Sequence, residues 1–264
     1  MADISITPGV PAARGHSLRV APSVAIGLAV YAGYLAIFYA TWAVNHVDYE
    51  HIGETAESAK LHYAMPTLLG CAFLVVAITA LGWWRPVLFD RVRSGPRWAW
   101  IGPIAMGLIA LTSYGFIKAD NLSGALVLWS ILGGIGVGFG EEVITRGTMV
   151  VGLRSRLTEG KVWLYSTLLF SALHIPNVLF GLSPAGVPGQ LVLTFIMGSM
   201  LYATRRLSGT LLLPIVLHGL WDSSVFLPHA TGADPNPLQF VLYPLAIASA
   251  IVVIRRNWNE RITE

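Results

Sequence analysis

Two adjacent glutamates and an arginine interrupt an apolar run near the middle of the chain. The stretch GVGFGEEVITRGTMV contains Glu141, Glu142 and Arg146 among glycines and aliphatic residues. Later apolar runs contain three more ionisable side chains: His174, His218 and Asp222. Carboxylates and imidazoles are the groups that enzymes use to move protons, and an ionisable residue within a membrane segment is costly unless it has a partner or a function. These six residues are therefore the candidate site.

Helical spacing separates the roles of these residues. Glu142 and Arg146 are four positions apart, so they share a helix face and can neutralise each other. Glu141 points about 100° away from Glu142 on a helix and therefore has different surroundings. His218 and Asp222 are also four positions apart, which would let the acid contact the imidazole and fix its tautomer.

The composition predicts a membrane protein. Of 264 residues, 55% are hydrophobic and only 12% are charged, and the mean hydropathy is +0.64, whereas about a quarter of a soluble domain is charged. A spanning helix needs roughly 20 mostly apolar residues, and such runs occur at 22–44, 63–84, 98–117, 124–150, 162–181, 189–204, 210–227 and 238–254. We predict an all-α bundle of about eight transmembrane helices, with tails over 1–21 and 257–264 and one membrane domain over 22–256.

The basic residues fall on every second loop of this arrangement. They lie before the first run and in alternate loops after it: Arg14, Arg19, Arg85, Arg91, Arg93, Arg97, Arg154, Arg156, Lys161, Arg205, Arg206, Arg255 and Arg256. The positive-inside rule then predicts that both termini are cytosolic. We interpret these residues, including the Arg205–Arg206 pair, as topology anchors. The net charge of +3 thus indicates a lipid bilayer, with no nucleic-acid partner.

The site residues also share a depth in the predicted bundle. With a rise of ~1.5 Å per residue, Glu141, His174 and His218 lie roughly 13, 18 and 13 Å from the cytosolic ends of their runs. Three different helices therefore bring them to one level, which predicts a single shared site. The glycines before the acids form two small-xxx-small pairs, Gly134 with Gly138 and Gly136 with Gly140, which predict close helix packing and no nucleotide loop.

Three motifs in order carry a family resemblance. EEVITR (141–146), FSALH (170–174) and HGLWD (218–222) match the patterns EExxxR, FxxxH and HxxxN/D. Together they resemble the CPBP family of intramembrane proteases, which includes CAAX prenyl endopeptidases and bacterial Abi-type proteins, over residues 124–225. The resemblance implies an eight-helix fold with a catalytic cavity inside the bilayer that opens towards the cytosol. It also implies an endopeptidase that cleaves a membrane-associated protein or peptide near its C-terminus or in a membrane-proximal segment.

The same resemblance implies roles for the six residues. Glu141 would be the general base that activates water, with His174 beside it, and Glu142 with Arg146 would be a supporting ion pair. His218 and residue 222 would stabilise the oxyanion or position the water. The prenyl endopeptidase pattern has asparagine where this chain has Asp222, and an ionised aspartate would repel an oxyanion. Asp222 is then protonated, or orients His218, or helps to bind a metal.

Several alternatives remain open at this stage. Glu141, His174 and His218 could form a zinc site, although HExxH is absent, so the cofactor is either none or Zn²⁺. A proton-coupled transporter also needs buried acids and histidines, but it would usually repeat them in both halves of the chain. A non-catalytic immunity or partner-binding member of the family is a third hypothesis. The Ala, Gly and Arg content favours a bacterial inner membrane.

Overall fold

The structure, a computed structural model, describes residues 18–262. Eight long helices make up most of this part of the chain. In chain order they are α1 (Val24–Val44), α2 (Ala56–Leu81), α3 (Arg97–Phe116), α4 (Gly124–Arg154), α5 (Glu159–Phe180), α6 (Val187–Ser208), α7 (Leu212–Ala230) and α8 (Gln239–Asn257). Each coincides with a predicted run, and residues 18–262 contain no β-strand, so the all-α prediction is confirmed. Of the predicted tails over 1–21 and 257–264, residues 1–17 and 263–264 lie outside the described residues.

Seven of these helices are long and apolar enough to cross a membrane, which makes the described chain a multi-pass membrane protein. The exception is α7, which is 19 residues long. Its sequence includes His218 and Asp222 within the span and His229 near its end, and these side chains lower its hydropathy. The helix that carries the HGLWD motif is thus the least apolar of the eight, as expected for a helix shielded from lipid by its neighbours.

Local sequence determines where the helices begin and end. The hydroxyl of Ser23 accepts a hydrogen bond from the Ile26 amide (3.3 Å) and caps α1, and Ser123 caps α4 through the Leu126 amide (3.1 Å). At the other end of a helix, Gly209 has a φ of 72°, a left-handed conformation that favours glycine. This residue ends α6, so that the chain turns back into α7 within three residues.

The predicted small-xxx-small packing is present between α4 and α7. A Cβ on Gly134 would lie 2.8 Å from the Gly219 carbonyl oxygen, and one on Gly138 would lie 2.6 Å from the Gly219 nitrogen. The second pair faces other helices, since a Cβ on Gly140 would lie 2.6 Å from the Tyr34 hydroxyl. Glycines therefore let α4 approach α7 on one side and α1 on the other, which brings the acids of α4 next to the histidine of α7.

A buried ion-pair network closes the end of the bundle that carries the basic residues. Asp90, in the α2–α3 loop, pairs with Arg154 (2.9 Å), Arg205 (2.8 Å) and Arg206 (2.8 Å), and all four side chains have 0% exposure. Glu159 pairs with Arg154 at 2.8 Å, and Tyr202 donates a hydrogen bond to Glu159 at 2.5 Å. Burial by itself would raise the pKa of Asp90, but the three guanidinium groups lower it well below its usual range.

This network corrects the interpretation of three arginines. Arg154, Arg205 and Arg206 are fully inside the protein, so they neither contact lipid headgroups nor act as exposed anchors. The sequence could not distinguish them from exposed arginines because their main partner, Asp90, is more than 60 residues away from each of them.

We predict that Asp90→Asn destabilises the protein strongly at neutral pH. The change leaves three buried guanidinium groups without their shared carboxylate, and breaking a buried pair in this way costs about 3–5 kcal/mol. Because the pKa of Asp90 is lowered on folding, its stabilisation is complete above the unfolded value of about 3.9 and declines as the pH falls below it. Thermal unfolding in detergent at pH 7 and below pH 4 measures both effects.

Arg91→Gln is the matched control, because Arg91 is exposed in the same loop. An Asp90→Asn melting temperature equal to that of the control at pH 7 would contradict the role assigned to the network.

Candidate active site

Glu142 is the buried centre of the site and holds two partners at once. Its Oε1 atom lies 2.8 Å from Arg146 Nη1 and 3.0 Å from His218 Nδ1. Glu142 and Arg146 have 0% side-chain exposure. The predicted ion pair within α4 is therefore present, and the same carboxylate also joins α4 to α7. A carboxylate that accepts from both an arginine and an imidazole makes charge-assisted hydrogen bonds, which are stronger than neutral ones.

A π-helical segment, Val143–Met149, follows the two glutamates within α4 and contains Arg146. Insertions of this kind are often found at functional sites. The guanidinium of Arg146 stacks on the Phe170 ring of α5 at 3.7 Å, and Phe170 also makes edge contacts with the rings of His174 and His218 at 5.6 Å each. Phe170 of the FSALH motif is thus the apolar contact between the arginine and both histidines.

His218 faces carboxylates with both ring nitrogens. Its Nδ1 contacts Glu142, whereas its Nε2 lies 3.9 Å from Glu141 Oε2 and 3.7 Å from Asp222 Oδ1. The predicted proximity of Asp222 to this ring is present, but the hydrogen bond to the ring comes from Glu142, a partner that the sequence did not indicate. The two longer separations are of a size that one bridging water spans.

His174 is held by the backbone of its own helix. Its Nδ1 lies 3.2 Å from the Phe170 carbonyl oxygen. A carbonyl oxygen only accepts, so Nδ1 carries the hydrogen of this bond, and in the neutral ring Nε2 is then an acceptor. His174 ends the regular part of α5, since the 3₁₀ turn Ile175–Phe180 follows it directly.

A cavity of about 350 Å³ reaches three of the six predicted residues. Glu141, His174 and Asp222 line it, whereas Glu142, Arg146 and His218 lie behind its wall. The six residues therefore form one connected group, as predicted, with a cavity-facing half and a buried supporting half. Glu141 and Asp222 differ in exposure, at 10% and 29% of their side chains.

The cavity extends towards the end of the bundle that is opposite to the ion-pair network. Its wall includes Trp42 near the end of α1, Tyr49 and Ile52 of the α1–α2 loop, His62 near the start of α2, and His229 near the end of α7. Positive-inside orientation and a cavity that opens to the cytosol were both expected. The two expectations are incompatible, because the cavity lies at the end of the bundle with few basic residues, and the positive-inside rule places the other end in the cytosol.

Sequence reasoning missed most of the cavity wall. Tyr31, Tyr34, Phe38 and Trp42 recur every three or four residues along α1, and the last three line the cavity. This regular spacing of aromatic residues is the sequence pattern that could have predicted the part of the cavity wall on α1. Asn177 was also missed: it accepts from the Tyr39 hydroxyl at 3.0 Å and donates to Gln190 at 3.2 Å. No pattern in the sequence connects these residues.

The candidate zinc ligands do not form a metal-binding set. Among residues 18–262, no three histidine, cysteine, aspartate or glutamate side chains are arranged to hold a metal ion. The Nδ1 atom of His218 is already occupied by a hydrogen bond to Glu142, which holds the ring against the supporting carboxylate. The residues present thus do not fit a zinc site, and we derive no step through a metal.

Glutamate, histidine and arginine side chains are thus gathered beside an internal cavity of an all-helical membrane bundle. A family model described as type II CAAX prenyl endopeptidase Rce1-like matches residues 123–224. That stretch contains all six predicted residues, and the match confirms the resemblance to this protease family over α4 to α7. Searches of curated proteins and of solved structures found no match to the chain.

We predict that Gly198→Ala disrupts the site from α6. A Cβ at Gly198 would collide with Arg146 Nη2 and would lie 2.8 Å from the Phe170 ring. Because these groups hold Glu142 and the two histidines in place, cleavage of a membrane-anchored test substrate should fall ~10–100-fold.

Gly189→Ala, on the same helix, is the matched control, since a Cβ there would meet nothing within 4 Å. Equal activity of the two variants would contradict the packing of Arg146 against α6.

Proposed function

We propose that the protein is an intramembrane endopeptidase that hydrolyses a membrane-associated protein or peptide with water activated by Glu141. This proposal rests on the different surroundings of the two adjacent acids. Glu142 is occupied by Arg146 and His218, whereas Glu141 faces the cavity with its side chain nine-tenths buried. A carboxylate in a cavity, without a hydrogen-bonded cation, is available to accept a proton from water.

The water would lie between Glu141 and His174. Both side chains line the cavity, and the free Nε2 of neutral His174 accepts one hydrogen of the water while Glu141 removes the other. The resulting hydroxide attacks the carbonyl carbon of the scissile peptide bond. Glu141 then transfers its proton to the amine that leaves, so the base of the first step is the acid of the second.

His218 would stabilise the oxyanion of the tetrahedral intermediate. Because its Nδ1 hydrogen bonds to the carboxylate of Glu142, its Nε2 can donate only if the ring carries both protons. The imidazolium suits a position between Glu142, Glu141 and Asp222. Glu142 and Arg146 are positioning residues in this scheme, since they lie behind the cavity wall.

Asp222 would be a hydrogen-bonding partner rather than a second base. It is the more exposed of the two cavity acids, and its Oδ1 is 3.7 Å from His218 Nε2. A protonated carboxyl or an asparagine amide can donate to a substrate carbonyl, whereas a carboxylate cannot. The role proposed for residue 222 is thus compatible with the asparagine of the prenyl endopeptidase pattern.

We predict that Glu141→Gln abolishes cleavage while the protein still folds. The amide keeps the size of the side chain but cannot accept the proton, and loss of a general base lowers the rate by roughly 10²–10⁴-fold. Cleavage in proteoliposomes and thermal unfolding of the same samples measure the two effects. Glu57→Gln, an exposed acid of α2 outside the cavity wall, is the control. Full activity of Glu141→Gln would remove Glu141 from the mechanism.

The same variant tests the non-catalytic alternative. If a cellular phenotype of the protein persists with Glu141→Gln in place, a partner-binding or immunity role is favoured over proteolysis.

Substitutions of Asp222 should separate a donor from a base. Asp222→Asn preserves a hydrogen-bonding amide, so activity should remain within about tenfold of the parent, whereas Asp222→Ala removes the group and should cost more, by the ~10²-fold or greater loss seen for one oxyanion donor. The measurement is kcat for both variants across pH 5–9. Equal losses in the two variants would contradict the donor role and make Asp222 a candidate base.

A further inference from the structure

The charge distribution of the folded chain places the cavity mouth on one side of the membrane. Even without the three buried arginines, the end with the ion-pair network has many exposed basic side chains: Arg85, Arg91, Arg93, Arg97, Arg156, Lys161, Arg255 and Arg256. The positive-inside rule makes that end cytosolic. The opposite end, where the cavity lies, therefore faces away from the cytosol.

The mouth of the cavity has an acidic border. The α1–α2 loop, residues 45–55, contributes Tyr49 and Ile52 to the cavity wall, and we call this loop the lip. Its acids are Asp48, Glu50 and Glu54, and it contains no lysine or arginine. The side chains of Asp48 and Glu54 are 57% and 65% exposed at the entrance, and both contact the ring of His51, at 3.0 and 4.0 Å.

The lip is attached to the cavity wall on two sides. The Tyr49 hydroxyl accepts a hydrogen bond from Gln190 of α6 at 2.8 Å, and Gln190 accepts one from Asn177 at 3.2 Å. On the other side, Gly53 adopts a φ of 94°, and its position allows no Cβ because one would lie 2.6 Å from the Phe226 ring. The acidic residues of the lip are thus held at the mouth.

Behind the lip, the cavity is aromatic with a few unpaired polar groups. Phe38, Trp42 and Phe226 provide an apolar wall. Tyr34 and Tyr63 line the same cavity, and their hydroxyl oxygens are buried and have no hydrogen-bond partner within residues 18–262.

We propose that the cavity receives its substrate from outside the cytosol, and that this substrate is a peptide segment with basic residues next to an apolar or aromatic core. The acidic lip complements the basic residues, and the aromatic wall, which includes Tyr34 and Tyr63, complements the core. This inference names the substrate class and the side of entry for the proposed protease, and so rests on the proposed function. Binding and sidedness are nevertheless measurable without hydrolysis.

Cysteine labelling tests the sidedness directly. The chain has one cysteine, Cys71, so Cys71→Ala gives a background without thiols. His51→Cys, exposed on the lip, and Ser155→Cys, exposed in the α4–α5 loop, are matched uncharged positions at opposite ends. In intact cells, a membrane-impermeant maleimide should label His51→Cys, and Ser155→Cys only after permeabilisation. The reverse pattern would overturn the proposal.

Photocrosslinking tests the substrate class. The probes are two benzophenone peptides with the same apolar core, one with two lysines and one with two glutamates beside it, each coupled to a hydrophilic polymer that prevents membrane crossing. With the Glu141→Gln protein in right-side-out vesicles, the lysine peptide should crosslink at least about tenfold more than the glutamate peptide, and inside-out vesicles should give little product. The double variant Glu50→Gln/Glu54→Gln should bring the ratio towards one.

The outcomes separate the two proposals. Equal crosslinking of both peptides, or preferential crosslinking in inside-out vesicles, would overturn the inference whatever the activity. Outward labelling with selective crosslinking, together with no cleavage by the parent protein, would support the inference on entry and binding but contradict the protease mechanism.

Discussion

The site depends on one buried carboxylate, Glu142, that is shared between an arginine and a histidine on different helices. An isolated charge at this depth in a bilayer would be costly, and so would an unpaired Arg146 or a charged His218. Joined through one oxygen at 2.8 and 3.0 Å, the three groups compensate each other. This pairing needs α4 and α7 in close contact. The glycines between these helices allow that contact, and without it the buried charges would lack their partners. Glu141, one residue earlier, is turned away and faces the cavity.

The bundle has two polar clusters, and they differ in how completely their polar groups are paired. Around Asp90, every acid and arginine has a partner, and the network closes one end of the protein. At the cavity, several polar groups are only partly satisfied, including Tyr34, Tyr63 and the Nε2 of His218 at 3.7–3.9 Å from two acids. Fully satisfied networks rigidify a fold, whereas unsatisfied groups in a cavity can bind an incoming molecule. The protein thus has one end closed by paired charges and an opposite end with a cavity and unpaired polar groups.

The sequence predicted what depends on local spacing and failed where partners are distant. All eight helices follow from the length of the apolar runs, and the Glu142–Arg146 pair and the Gly134/Gly138 contact follow from spacing within one helix. These predictions are confirmed. The hydrogen bond between His218 and Glu142 was missed because Glu142 is 76 residues away in sequence, whereas Asp222 is on the same helix. The burial of Arg205 and Arg206 was missed for the same reason, since their shared partner Asp90 is in another loop. The spacing of residues along one helix does not indicate which neighbouring helix or loop supplies the acidic partner.

The direction of the cavity follows from combining two observations that are weak alone. Basic loops predict which end of a bundle is cytosolic, but not where a cavity lies. The cavity wall shows which helix ends surround the mouth, but not which compartment they face. Trp42, His62 and His229 at the mouth belong to the helix ends that alternate with the basic loops, so the two observations together support the proposed direction. A protease with this geometry would meet its substrate where apolar segments leave the membrane on the non-cytosolic side, and the acidic residues of the lip would select segments of opposite charge there.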